Sequence, residues 1–137
     1  MSSRLSFQMG LIGLMAAAYV VTDARPAAAQ GYDGAGQFRV YCAVCHGDGG
    51  TGNGPLAESM RVKPADLTAI TRNNKGTFPT NDVFRMIDGR NPVKGHGGPD
   101  MPVWGDAFAR SGQDASPDAV RGRIEALVRY LERLQKP

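Results

Sequence analysis

Cys42-Ala43-Val44-Cys45-His46 is the stretch of this chain whose residue types and spacing imply chemistry. Two thiols two residues apart can close a redox-active disulfide or supply half of a zinc site. These are the only two cysteines, so no second pair completes a zinc ribbon. Nor does a strand-like pattern precede them, as a thioredoxin-type motif would need. The histidine that follows at once points elsewhere, because Cys-x-x-Cys-His is the attachment signature of a c-type haem. Each thiol adds to one vinyl group, and both vinyls lie on one edge of the porphyrin. The next residue then falls beneath the iron, where its imidazole can bind through Nε2. The other ring nitrogen is expected to donate to a backbone carbonyl and so fix the ring.

A sixth iron ligand must come from farther along the chain. Thioether sulfur is soft, and a Met/His pair raises the potential. Beyond residue 29 the methionines are Met60, Met86 and Met101. Met60 and Met86 sit among apolar residues in candidate helices, where methionine usually fills core gaps. Met101 lies in a Gly/Pro-rich loop and is followed by Pro102, a setting that can hold a thioether against iron. Met101 is therefore the expected ligand. His96, five residues earlier in the same loop, is the rival, giving bis-histidine ligation. Trp104 and Arg90 flank the loop and are candidates to meet the haem propionates.

The elements that position these residues read as helices. Residues 31–41 form a first, weakly amphipathic helix running straight into Cys42. The run Gly47-Asp48-Gly49-Gly50-Thr51-Gly52-Asn53-Gly54 is loop; it lacks the Gly-Lys-Ser/Thr ending of a phosphate cradle and reads as a flexible wrap around a ligand. Residues 55–60 suggest a short helix opened by proline. Thr80 is placed to cap a helix carrying Val83, Phe84, Met86 and Ile87, with Gly89 as its stop. Residues 90–105 read as loop. Ser116 as N-cap, Pro117 at the first position and Asp118 then open the last helix, with Val120, Ile124, Leu127, Val128, Leu131 and Leu134 at helical spacing. No segment alternates like a strand, so the expected class is all-α, with short helices and long loops.

The 137 residues divide unequally. Arg4, the apolar run from Leu11 to Val21 and the small-residue site Ala27-Ala28-Ala29 have the order of a secretory signal peptide cut after Ala29. The run is shorter than the roughly 20 residues that span a bilayer. Residues 1–29 are thus expected to be removed, leaving a domain of residues 30–137 in the periplasm, with no later membrane span. The mature chain carries 14 basic and 12 acidic residues, which two propionates would bring close to neutrality. Its basic residues are scattered, so nucleic acid is not an expected partner. No carboxylate pair or Ser/His/Asp set stands out, so catalysis is not expected either.

With these residues in place, the chain resembles the small single-haem bacterial cytochromes c, which have an N-terminal Cys-x-x-Cys-His and a distal methionine in a C-terminal loop. Gly34 and Phe38 match the family's first helix, and Leu127, Tyr130 and Leu131 match its last. Met101-Pro102 matches the methionine loop. Gly54-Pro55 and Pro64-Ala65-Asp66-Leu67-Thr68 are similar to bacterial members. The resemblance implies a cytochrome c-like fold around one covalent haem c. It implies that the first and last helices cross at Gly34, with Phe38 and Tyr130 filling the crossing, and leaves Pro55 and Pro64 as candidate acceptors for the His46 ring. The implied activity is electron carriage between redox proteins, as a monomer or as a subunit of a redox complex. The alternatives are a haem-bearing subunit of a periplasmic dehydrogenase or terminal oxidase, and a haem enzyme or gas sensor with an open sixth site. N-terminal sequencing of haem-containing material from the producing cell should begin near Gln30; an intact leader in the membrane fraction would show an anchored protein instead.

Overall fold

The computed structural model describes residues 31–91, 100–112 and 115–137. The expected signal peptide and its cleavage site lie outside the described residues, as does His96. Within them there are six α-helices, two short 3-10 turns and no strand, in agreement with the all-α expectation.

Helix α1 (Gly34–Tyr41) starts where the Asp33 carboxylate accepts a hydrogen bond from the Ala35 N–H at 3.0 Å. That N-cap satisfies one of the orphan donors of the first turn. The chain remains helical through Cys42 into α2 (Ala43–His46), and Gly47 at φ 78° ends it. The Cys-x-x-Cys-His segment is thus the direct continuation of α1. Two 3-10 turns follow, Ala57–Ser59 and Leu67–Ala69, and then α3 (Ile70–Asn73). The helix expected over residues 55–60 reduces to the first of these turns, because the Leu56 N–H is already committed to the Val44 carbonyl at 3.0 Å.

Helix α4 (Thr80–Asp88) closes on Gly89 in the left-handed conformation, as expected of a glycine stop. Thr80 is not its cap but its first residue. Pro79 takes the cap position, its carbonyl accepting from both Asp82 and Val83 at 3.0 Å. Residues 104–109, expected as loop or left unassigned, form α5 (Trp104–Ala109), which has no side-chain cap. Its stabilisation is tertiary: Trp104 and Phe108 stand 5.5 and 5.4 Å from the Tyr41 ring in edge-on contacts. Helix α6 (Pro117–Arg133) has the expected cap, Ser116 Oγ accepting from the Ala119 N–H at 3.2 Å, with Pro117 in its first turn.

Helix α6 is the spine of the molecule and packs on α1, α4 and α5. Val120, Ile124, Leu127, Val128 and Leu131 point inward and meet Phe38, Val83, Ile87 and Phe108 in one core. Phe38 is wholly buried and lies 5.2 Å from the half-buried Tyr130 ring, so the expected aromatic crossing is present. The two helices meet at Gly34, where a Cβ would overlap the Ala126 carbonyl and stand 3.1 Å from Tyr130 Cβ. Arg123 ties α1 and the end of α5 to its own helix, α6, from outside. Its guanidinium donates to Gln37 Oε1 (3.1 Å), Ser111 Oγ (2.8 Å) and Tyr41 Oη (3.2 Å), and lies over the Phe108 ring at 3.9 Å.

Gly34→Ala should therefore lower stability by about 1–3 kcal/mol, the usual range for overpacking. Gly49→Ala, where a Cβ meets nothing within 4 Å, should stay within about 0.5 kcal/mol. Denaturant midpoints of the two variants check this, and equal shifts would remove the assigned close approach.

Candidate functional site

The carbonyls of α2 face the end of a helix and need donors that the helix itself cannot supply. The glycine-rich loop supplies them. Gly52 N–H reaches the His46 carbonyl at 2.8 Å, Gly54 N–H the Cys45 carbonyl at 3.0 Å and Leu56 N–H the Val44 carbonyl. Residues 47–56 are therefore a hydrogen-bonded cap on the Cys-x-x-Cys-His backbone, not the flexible wrap read from composition. Glycine is required at position 52 on two counts. Its φ is +82°, and a Cβ there would overlap the Pro64 carbonyl.

That contact sets the next strand of the loop beside the histidine. His46 Nδ1 lies 3.0 Å from the Ala65 carbonyl oxygen. A carbonyl only accepts, so Nδ1 carries the proton and Nε2 keeps its lone pair. The acceptor is neither Pro55 nor Pro64. The chain turns one residue beyond Pro64 before its carbonyl comes into line with the ring. Asp66 holds this turn, accepting from the Thr68 N–H at 2.8 Å and from Thr68 Oγ1 at 2.7 Å. Leu67 N–H closes it back onto the Gly50 carbonyl at 2.7 Å.

The two thiols are not joined in a disulfide. Cys42 packs against the core, and burial, with the neighbouring Cys45 adding to it, pushes its thiol up to about 12. It is thus a neutral, apolar side chain, and conversion to a thioether would bury no new charge. Cys45 is half-buried one turn on, and His46 follows, its Nε2 without a hydrogen-bond partner among the described residues. This donor set fits a covalently attached haem: two thiols on one helical turn and an imidazole already in the ligating tautomer.

The chain matches the family described as cytochrome C oxidase, cbb3-type, subunit III over residues 29–88. Over that span the chain is similar to the small c-type cytochromes. Haem-based electron transfer is the chemistry that this family implies. No curated relative and no solved structure matches the chain. The matched span includes Cys42, Cys45, His46 and Ala65 but stops short of Met101, α5 and α6.

Outside that span, Met101 is half-buried and packs against the same core as Cys42. Trp104, three residues on, meets Tyr41, the residue before Cys42. The structure therefore brings the segment after Met101 against the segment before the first cysteine. Met60 lies half-buried just after the Ala57–Ser59 turn and Met86 half-buried within α4. Arg90, considered above for the propionates, pairs with Asp88, Nη2 to Oδ1 at 2.7 Å. Arg123 and Gln135 escaped the sequence reading. Gln135 donates to the Leu67 carbonyl at 2.7 Å and accepts from the Thr71 N–H at 2.8 Å, tying the C-terminal tail to the turn beyond Ala65.

The Thr68 side-chain hydrogen bond, with the Thr68 backbone bond second, holds the Asp66 carboxyl below the usual carboxylate range. A carboxylate with a lowered folded-state value contributes stability above its unfolded value, near 3.9, and loses it as pH falls through the folded value. Wild type should accordingly lose stability more steeply than Asp66→Asn between about pH 4 and pH 2. Thermal midpoints across that range check it, and parallel profiles would contradict it.

Proposed function

We propose that this chain is an exported electron carrier with one haem attached covalently through Cys42 and Cys45 and bound axially by His46 and Met101. The observation that carries this reading is the hydrogen bond from His46 Nδ1 to the Ala65 carbonyl, inside a Cys-x-x-Cys-His segment whose backbone carbonyls are already capped. It fixes the tautomer and the ring direction before any metal binds, which lowers the cost of ordering the ligand. A haem held there would supply a one-electron Fe(III)/Fe(II) couple.

The protein's part is to hold both axial donors still while charge changes. His46 is held by Ala65, and the segment carrying Met101 is held by the packing of Trp104 and Phe108 on Tyr41. Residues 1–29 serve as a cleaved leader in this reading. The family match beginning at residue 29 supports that boundary, and no helix among the described residues is long and apolar enough to cross a membrane. The mature domain is residues 30–137, with redox proteins as donor and acceptor.

A second reading is favoured by one observation, the matched family's description as an oxidase subunit. Here the same haem domain is docked in a terminal oxidase instead of diffusing between partners. Co-purification of the native chain with a larger catalytic subunit supports this second reading; isolation as a free, reducible domain supports the first.

Met101→Ala should abolish the weak long-wavelength absorption of a ferric iron–thioether bond, lower the potential and open the iron to carbon monoxide. His96→Ala should leave the band in place. Loss of the low-spin spectrum only on removal of His96, in a wild type without the thioether band, would make the haem bis-histidine.

A further inference from the structure

The end of α4 and the short stretch between Met101 and α5 meet. Gly89 packs on Val103, where a Cβ on Gly89 would stand 3.1 Å from Val103 Cα. Beside it, Asp88 and Arg90 lie under Gly105. A Cβ on Gly105 would come within 2.8 Å of the Asp88 carbonyl oxygen and 2.5 Å of Arg90 Nε, so any larger residue there would displace the pair. Arg90 binds a single carboxylate oxygen, Asp88 Oδ1, twice: Nε at 2.8 Å and Nη2 at 2.7 Å.

We propose that Asp88 and Arg90 form a clasp that closes the base of the Met101 segment and positions its thioether for the iron, an inference that rests on Met101 being the sixth ligand. An ion pair on an open surface contributes little. This one differs because the Asp88 side chain is only 10% exposed while that of Arg90 is 45% exposed. Removing the cation leaves a carboxylate without its partner in a largely closed site, which is costly enough to move the backbone around it. The Arg90 guanidinium is in turn held above its ordinary value, chiefly by the hydrogen bond to Asp88, with the charges of Asp88 and of Asp106 in α5 adding to it. Gly105, in the first turn of α5, packs directly over this pair, so the pair is the surface on which α5 meets the end of α4. Met101 lies two residues before Val103, so little chain separates the closed base from the sulfur. A ligand tethered this closely to a fixed point competes well with ligands from solution; with the base opened, its effective concentration at the iron falls.

The test uses the haem-loaded full chain in its ferric form, with imidazole as competing ligand and loss of the long-wavelength thioether band as the signal. Arg90→Gln should raise the apparent imidazole affinity about tenfold, equivalent to about 1.4 kcal/mol. Arg90→Lys, which can still make one bond to Asp88, should restore most of the wild-type value. In a Met101→Ala background, Arg90→Gln should leave imidazole affinity unchanged, because no thioether remains to be positioned. A purely structural role would lower the denaturation midpoint without this dependence on Met101. A wild-type band with imidazole affinity unmoved in Arg90→Gln and in Asp88→Asn overturns the clasp alone. Absence of the band from wild type overturns Met101 as ligand, and the clasp with it.

Discussion

The close approach of α1 to α6, possible because Gly34 carries no side chain against the Ala126 carbonyl, is the constraint on which the rest of the structure depends. The Cys-x-x-Cys-His segment begins at the residue after α1, so whatever fixes α1 fixes both thiols and the imidazole. The same last helix also governs the other side of the site. Its tail hydrogen-bonds Leu67 and Thr71 through Gln135, and Lys136 N–H reaches the Thr68 carbonyl at 2.9 Å. Thr68 in turn holds Asp66, one residue from the carbonyl that orients His46. The donor ring and its acceptor, nineteen positions apart in sequence, are thus both anchored to one helix at the far end of the chain.

Between those anchors the site is built from backbone. Three carbonyls of the Cys-x-x-Cys-His segment are paired with three N–H groups of the loop that follows it, and the imidazole is paired with a fourth carbonyl. Backbone partners bring no titratable group into the contact, so the ring's tautomer is fixed by hydrogen bonding alone. They also impose a steric limit. The loop must pass close enough to Pro64 to set Ala65 in line, and only glycine at position 52 permits both that distance and a positive φ.

The parts of the fold that were legible in the sequence are those settled by local chemistry. Ser116, Pro117 and the buried face of α6 are a cap, a first-turn proline and a helical repeat, all readable within one segment. Gly89 as a helix stop is equally local. What escaped depends on distant partners. Helix α5 is six residues long, contains Gly105 and has no side-chain cap, so its helicity comes from the Tyr41, Trp104 and Phe108 rings packing together. The acceptor for His46 could not be read because it depends on where positive-φ glycines turn the loop, and that path places Ala65 at the ring instead of a proline. Thr80 lost the cap position because Pro79, with its restricted φ, starts the helix one residue sooner.

Covalent attachment of haem at Cys42 and Cys45, beside an imidazole already oriented for iron, is the claim that organises all of this. Peptide mapping by mass spectrometry after acid denaturation, on material from cells that ligate haem to exported proteins, tests it most directly. One haem mass should remain on the single peptide that contains Cys42, Cys45 and His46, with no free thiol left on it. The same peptide recovered without haem, as a dithiol or a Cys42–Cys45 disulfide, would contradict it.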